Sequence, residues 1–223
     1  AAIWWWLVAT VVGLVAWPLA HRLLGGLWGG GWPLARVIGL ALVAYPVWLG
    51  ASLGVTGNSV WALLGALGLL ALSGIVMLVR RRQAWRAFLR ARWREIALAE
   101  AAALAAYLVW TGVRVLNPDL WHPWWGGERP MEMGFFLAVL KSGRFPPYDP
   151  FYAGGYINYY YYGLYLVAAL TKLSGIRPEV AFNLALSLFF SLTFSSAMVL
   201  GASLVRGRAV WAGLASAVLV TVL

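Results

Sequence analysis

The chain predicts an all-α fold, a polytopic transmembrane helix bundle, on three observations. Hydrophobic residues make up 63% of its 223 positions and charged residues 11%, with a mean hydropathy of +0.79, well outside the range of soluble globular domains. The apolar residues gather into about seven runs, at 3–20, 34–53, 59–79, 96–115, 159–173, 180–205 and 209–223, most of them close to the roughly 20 residues that cross a bilayer. Lys and Arg are spread unevenly over the connections between these runs, which is what orients a multi-pass protein.

The first run has no basic flank before it and no small-residue cleavage site after it, so it reads as a retained span rather than a signal peptide. Gly25, Gly26, Gly29, Gly30 and Gly31 make the next connection flexible. In the third run Gly65, Gly68, Ser73 and Gly74 suit close helix packing. Arg80, Arg81, Arg82, Arg86, Arg90, Arg92 and Arg94 then place the connection at 80–95 in the cytoplasm. Alternation puts 21–36 and 172–179 on the same side and 117–158 outside, and leaves Arg206 and Arg208 to snorkel from a short external turn.

Trp85, Phe88, Leu89 and Trp93 interleave the arginines at helical spacing, giving a basic amphipathic helix suited to anionic lipid headgroups. Membrane lipid is the expected partner and nucleic acid is not, despite a net charge of +10. Glu100 lies about one turn inside the fourth run and is expected to pair with Arg92 and Arg94 at the interface. Cysteine is absent, which excludes disulfides and thiol chemistry. The chain begins without Met and stops inside an apolar run, so it reads as part of a longer protein.

Polar chemistry concentrates at 117–163, which holds Asp119, Glu128, Glu132 and Asp149 of the chain's seven carboxylates. Asn117-Pro118 ends the fourth span, because Pro disfavours helical geometry in the residue before it. Trp121, Trp124 and Trp125 around His122 read as an interfacial aromatic belt. Pro130 and the acidic residues beside it start an amphipathic surface helix that runs to about Lys141 and stops at Ser142-Gly143. Glu128 and Glu132, four apart on it, stand near one another. Such a pair suits general-base chemistry at the edge of the lipid, and equally suits a helix cap and an ion pair with Arg129 or Arg144. A proline-rich turn follows, then Asp149, Asn158 and four consecutive tyrosines, Tyr159 to Tyr162. These surround a whole helical turn, so some hydroxyls are expected to face a polar cavity and the others to anchor at the interface.

The runs NPDLWHPWWGGERPME and FPPYDPFYAGGYINYYYYG resemble the signature of the Chlor-Arch YYY family of uncharacterised polytopic membrane proteins. The same order of span, acidic residue, surface helix, Ser-Gly stop, proline turn and aromatic entry also resembles, more distantly, the first external loop of GT-C glycosyltransferases. That likeness implies a sugar moved from a polyprenyl-phosphate donor to an acceptor on the external face of the plasma membrane. It carries the catalytic acid-base role onto Glu128, with Glu132 second. Donor and acceptor contacts would then come from Asp119, His122, Arg129, Lys141, Arg144, Asp149, Asn158, Tyr160, Tyr161 and Tyr162. Departures are glutamate where the family most often has aspartate, an acidic pair four apart rather than adjacent, and four preceding spans rather than one.

Asp119, His122, Glu128 and Glu132 leave a divalent cation open as cofactor, although their spacing is no recognised metal motif. Residues 1–95 then read as a three-span segment with its basic helix, and 96–223 as the start of a GT-C-like membrane domain completed by the remainder of the full-length chain. The alternative is a non-enzymatic transporter component or a subunit that binds lipid-linked glycan.

Overall fold

The computed structural model describes residues 1–119, 127–205 and 207–222. Among these the regular structure is helical: α1 (Ala2–Leu24), a 3-10 turn (Trp28–Gly31), α2 (Trp32–Ser52), α3 (Val60–Arg80), α4 (Arg82–Leu116), α5 (Arg129–Lys141), α6 (Tyr162–Ser174), α7 (Pro178–Leu204) and α8 (Ala209–Val222). The helix boundaries follow local chemistry. Ser59 caps α3 by accepting from the Ala62 N–H at 3.2 Å. Pro33, Pro130 and Pro178 occupy first turns, where the missing N–H is harmless. Gly175 stops α6 in the left-handed conformation at φ 67°.

Among the described residues five helices are long and apolar enough to cross a membrane: α1, α2 with its preceding turn, α3, α4 and α7. The arginine run and the fourth apolar run form one continuous helix, α4, of 35 residues. Gly29, Gly30 and Gly31 are not a flexible tether. All three adopt positive φ in a tight turn, and a Cβ on Gly30 would lie 2.2 Å from the Phe88 ring of α4. Small residues bring helices together elsewhere: a Cβ on Gly39 would sit 2.6 Å from the Val12 carbonyl, and one on Gly74 would sit 2.9 Å from that of Val15. Gly65 and Gly68, expected to pack in the same way, face open space.

Glu100 corrects a second expectation. Its carboxylate reaches across to α2, accepting from Arg36 Nη2 at 2.6 and 2.7 Å and from Trp32 Nε1 at 2.9 Å. Arg36 is fully buried, with its guanidinium 4.4 Å from the Trp6 ring and 5.0 Å from that of Trp32. Arg92 pairs instead with Glu95, at 3.3 Å.

The bundle has two chemically distinct ends. One gathers His21, Arg22, the glycine turn and the arginines of 80–94, with the Trp28 N–H donating to Ser203 Oγ at 2.9 Å to bring in the end of α7. The other gathers the chain's first residues, the 53–59 connection, α5 and α6. The 159–173 run is therefore no span. Tyr161, just before α6, accepts at its hydroxyl from Trp48 Nε1 near the end of α2, while Ser174, at the other end of α6, accepts from Trp4 Nε1 near the start of α1. Both flanks of α6 lie at the acidic end, and thirteen residues reach only about 20 Å. Since α7 starts from that same end, with Asn183 beside Arg114, the 172–179 connection faces away from the arginine run. Arg208, beyond the far end of α7, shares the arginine-rich end and needs no snorkelling. Arg206 lies outside the described residues.

Candidate functional site

The site is built where the end of α4, the start of α5 and the first turns of α7 meet. Arg114 stands on the last turn of α4, just before the Asn117-Pro118 break, and is 7% exposed. Its Nε and Nη2 donate to Asn183 Oδ1 at 3.0 and 2.6 Å. The Asn183 amide donates in turn to the Glu179 carbonyl at 3.2 Å and the Pro118 carbonyl at 3.4 Å, which fixes its oxygen toward the arginine. Arg129, at the first position of α5, donates to the Asp119 carbonyl at 3.4 Å.

Arg114, Arg129 and Glu132 line one cavity of about 280 Å³. Its opposite wall is aromatic: Trp110 and Phe190 stack with centroids 4.6 Å apart, and Phe182 lies beside them. A larger, mostly apolar cavity of about 560 Å³ lies on the other flank of Arg114, bordered by Asp119, Glu179 and Leu184. The chemistry available is a carboxylate beside two guanidiniums, at the end of the bundle, next to apolar grooves. That is a set of groups able to hold a phosphate and accept a proton.

The helix that positions Glu132 is pinned from below. Phe135, Phe136 and Val139 are buried, Phe136 lying 5.8 Å from Phe182. Its other end is held by Asn58, a buried residue of the α2–α3 connection. The Asn58 side chain donates to the Val139 carbonyl at 3.2 Å and the Ser142 carbonyl at 2.8 Å, and its backbone N–H to Gly143 at 2.9 Å. The Asn58 carbonyl accepts from Lys172 Nζ of α6. Burial pulls the Lys172 ammonium below the usual lysine range.

The sequence-predicted residues are thus divided among several places. Glu132 and Arg129 share the cavity, while Glu128 is exposed at the helix start and makes no capping bond with its side chain. Lys141 and Arg144 are exposed at the far end of α5, and Asn158 is exposed beyond the next turn. Asp149 serves the loop: its Oδ1 accepts from the Phe151 N–H at 2.8 Å, closing a turn over which Tyr148 and Tyr156 stack. His122, like Trp121, Trp124 and Trp125 of the expected aromatic belt, lies outside the described residues. Among the described residues no group of three or more His, Cys, Asp or Glu gathers to hold a metal ion.

The tyrosines do not line the glutamate cavity. Tyr160 is 90% exposed. Tyr161 stacks on Phe145, and Tyr162 meets Trp48 edge-on, so both serve to seat α6. Burial raises the Tyr162 phenol above its usual range. Arg114 and Asn183 are not among the residues to which the sequence pattern points. The available signal was an arginine in the last turn of an otherwise apolar span, directly before a helix-breaking Asn-Pro.

Residues 42–223 match the family described as Uncharacterized membrane protein (DUF2298). The chain belongs to this family. No curated protein and no solved structure matches it. DUF2298 membership, together with several long apolar helices, makes the chain a multi-pass membrane protein. The matched region includes every residue of the Arg114–Glu132 cavity, so this site is part of the DUF2298 region rather than of an appended segment.

Proposed function

We propose that this DUF2298 protein is a membrane glycosyltransferase of GT-C type that moves a sugar from a polyprenyl-phosphate donor to an acceptor hydroxyl. The observation that carries the reading is the meeting of Arg114, Arg129 and Glu132 in one aromatic-walled cavity at the end of the bundle. A lipid-linked phosphate needs cationic donors at headgroup depth and an apolar groove for its tail. The arginines and the apolar cavity flanking Arg114 provide both. Glu132, rather than the exposed Glu128, takes the general-base role.

In the reaction the Glu132 carboxylate removes the proton of the acceptor hydroxyl, whose oxygen attacks the anomeric carbon. The bond from that carbon to the phosphate oxygen breaks, and Arg114 and Arg129 neutralise the charge gathering on the departing lipid phosphate. The arginine-rich end faces the cytoplasm by the positive-inside rule, which puts the cavity on the external face of the plasma membrane. The regrouping of Arg208 with the other arginines supports that orientation.

The test uses the full-length protein in liposomes carrying polyprenyl-phosphate sugars. Glu132→Gln is expected to lower transfer by roughly 10²–10⁴-fold, the range of a general base, with donor binding retained, whereas Arg114→Gln weakens donor binding. Undiminished transfer by Glu132→Gln refutes the assignment. Donor binding without transfer by the wild type favours a subunit that binds lipid-linked glycan.

A further inference from the structure

At the opposite end of the bundle α1, α3 and the start of α4 enclose a separate cavity, of about 430 Å³, that has no part in the proposed transfer. Its formation follows from the packing above it. Gly74 lets α3 press against α1 beside Val15 and Pro18, and just beyond this contact the cavity opens. Pro18, Val76 and Trp85 supply apolar walls, while Arg22, Arg80 and Arg81 bring three guanidiniums to the same space from α1, from the end of α3 and from the residue joining α3 to α4. His21 completes the rim, with its ring held 4.7 Å from Trp85 and 4.2 Å from Phe88.

The charge in this cavity is unbalanced. The carboxylates of this end are Glu95 and Glu100, and both are engaged elsewhere. Glu95 accepts from the Gly29 N–H at 2.9 Å and from Arg92 at 3.3 Å, and Glu100 is bound by Arg36 and Trp32. Among the described residues Arg22, Arg80 and Arg81 form no ion pair. Three convergent guanidiniums without a carboxylate partner fit the oxygens of a phosphate. Position decides the source of that phosphate. Arg80 ends a 21-residue apolar helix, and Leu72, Ile75, Val76 and Val79 approach the cavity along its exposed surface. An acyl chain has an apolar path there, and the arginines sit at headgroup depth.

We propose that this cavity binds the headgroup phosphate of an anionic phospholipid, with an acyl chain lying along α3. The site differs from general attraction of the arginine run to the membrane, because it singles out Arg22, Arg80 and Arg81 from Arg86, Arg90 and Arg94.

Native mass spectrometry of the full-length protein, released from detergent with phosphatidylglycerol or phosphatidylcholine added, tests the site. Retention of phosphatidylglycerol over phosphatidylcholine is expected, with a loss of about fivefold for each guanidinium removed in Arg22→Gln, Arg80→Gln and Arg81→Gln combined. The matched combination of Arg86→Gln, Arg90→Gln and Arg94→Gln keeps the lipid. Arg80→Gln alone carries the same comparison, against Arg90→Gln, if the triple variant does not fold. Equal losses in the two sets, or equal retention of the two lipids, overturn the proposal. Displacement of the bound lipid by excess inorganic phosphate also overturns it, since the site is then one for a soluble anion.

Discussion

Replacing Glu100 by Ala tests how the transmembrane core is held. Arg36 is 0% exposed, and with Glu100 removed its guanidinium retains only the Thr10 hydroxyl at 3.0 Å and the faces of Trp6 and Trp32. Its Nη1 already lacks a partner among the described residues. Removing one partner of a buried pair costs about 3–5 kcal/mol, because an uncompensated charge stays in low dielectric. The Glu100 side chain is 30% exposed, so the expected loss is at the lower end, about 3 kcal/mol. The internal reference is the Arg177–Glu179 pair, whose side chains are 83% and 57% exposed and whose loss is expected to cost about 0–1 kcal/mol. The assay is reversible unfolding of the full-length protein in mixed micelles, comparing Glu100→Ala, Glu179→Ala and the double variant Arg36→Leu with Glu100→Leu. The double variant is expected to recover much of the loss, since it leaves no buried charge unpaired. If Glu100→Ala destabilises no more than Glu179→Ala, the pair is not a buried charge interaction and the reasoning fails.

Asn58→Ala strips the Val139 and Ser142 carbonyls of their donor and is expected to destabilise by about 1–3 kcal/mol, with faster protease cleavage in 142–160; unchanged cleavage argues against the latch. Because burial lowers the Lys172 pKa below its ordinary 10.5, the unfolded chain binds more protons than the folded one between the two values. Stability therefore rises with pH across that window. Lys172→Met is expected to remove the rise seen in pH-dependent unfolding, and a wild-type slope of opposite sign contradicts the burial of this amine. Tyr161→Ala loses its stack on Phe145 and its bond from Trp48, about 2 kcal/mol together. Tyr160→Ala, at an exposed position, is expected to stay within about 0.5 kcal/mol, and equal effects in thermal unfolding refute the division of the tyrosine run.

Local signals in the sequence are sufficient where the chemistry is local. The surface helix was expected from about Pro130 to Lys141 with a Ser142-Gly143 stop, and α5 occupies Arg129–Lys141. Pro130 and the Ser-Gly pair act within a turn of where they stand, so their meaning survives without knowledge of neighbours. Hydropathy misled at α6 because it reports how apolar a segment is, not which way its ends point. A mostly apolar helix of thirteen residues is satisfied equally by lipid or by a seat against α2, α5 and α7, and the bonds from Trp4 and Trp48 and the Asn58–Lys172 contact reveal the seat. Proximity in sequence points Glu100 to Arg92 and Arg94, yet Arg92 lies eight residues away on the same helix, about 12 Å along its axis. Arg36 arrives from a neighbouring helix instead.

The sequence by itself determined that this is a multi-pass helical membrane protein, and it separated an arginine-rich end from an acidic one, because burial in lipid and charge at its border are set by composition over long windows. Only the tertiary structure decided which charges meet. It put Glu132 with Arg114 and Arg129, took the tyrosines away from them to seat α6, and returned both ends of that helix to one side. Apart from Arg129, three residues before Glu132 on the same helix, the partners stand on different helices, and no short window of sequence contains both.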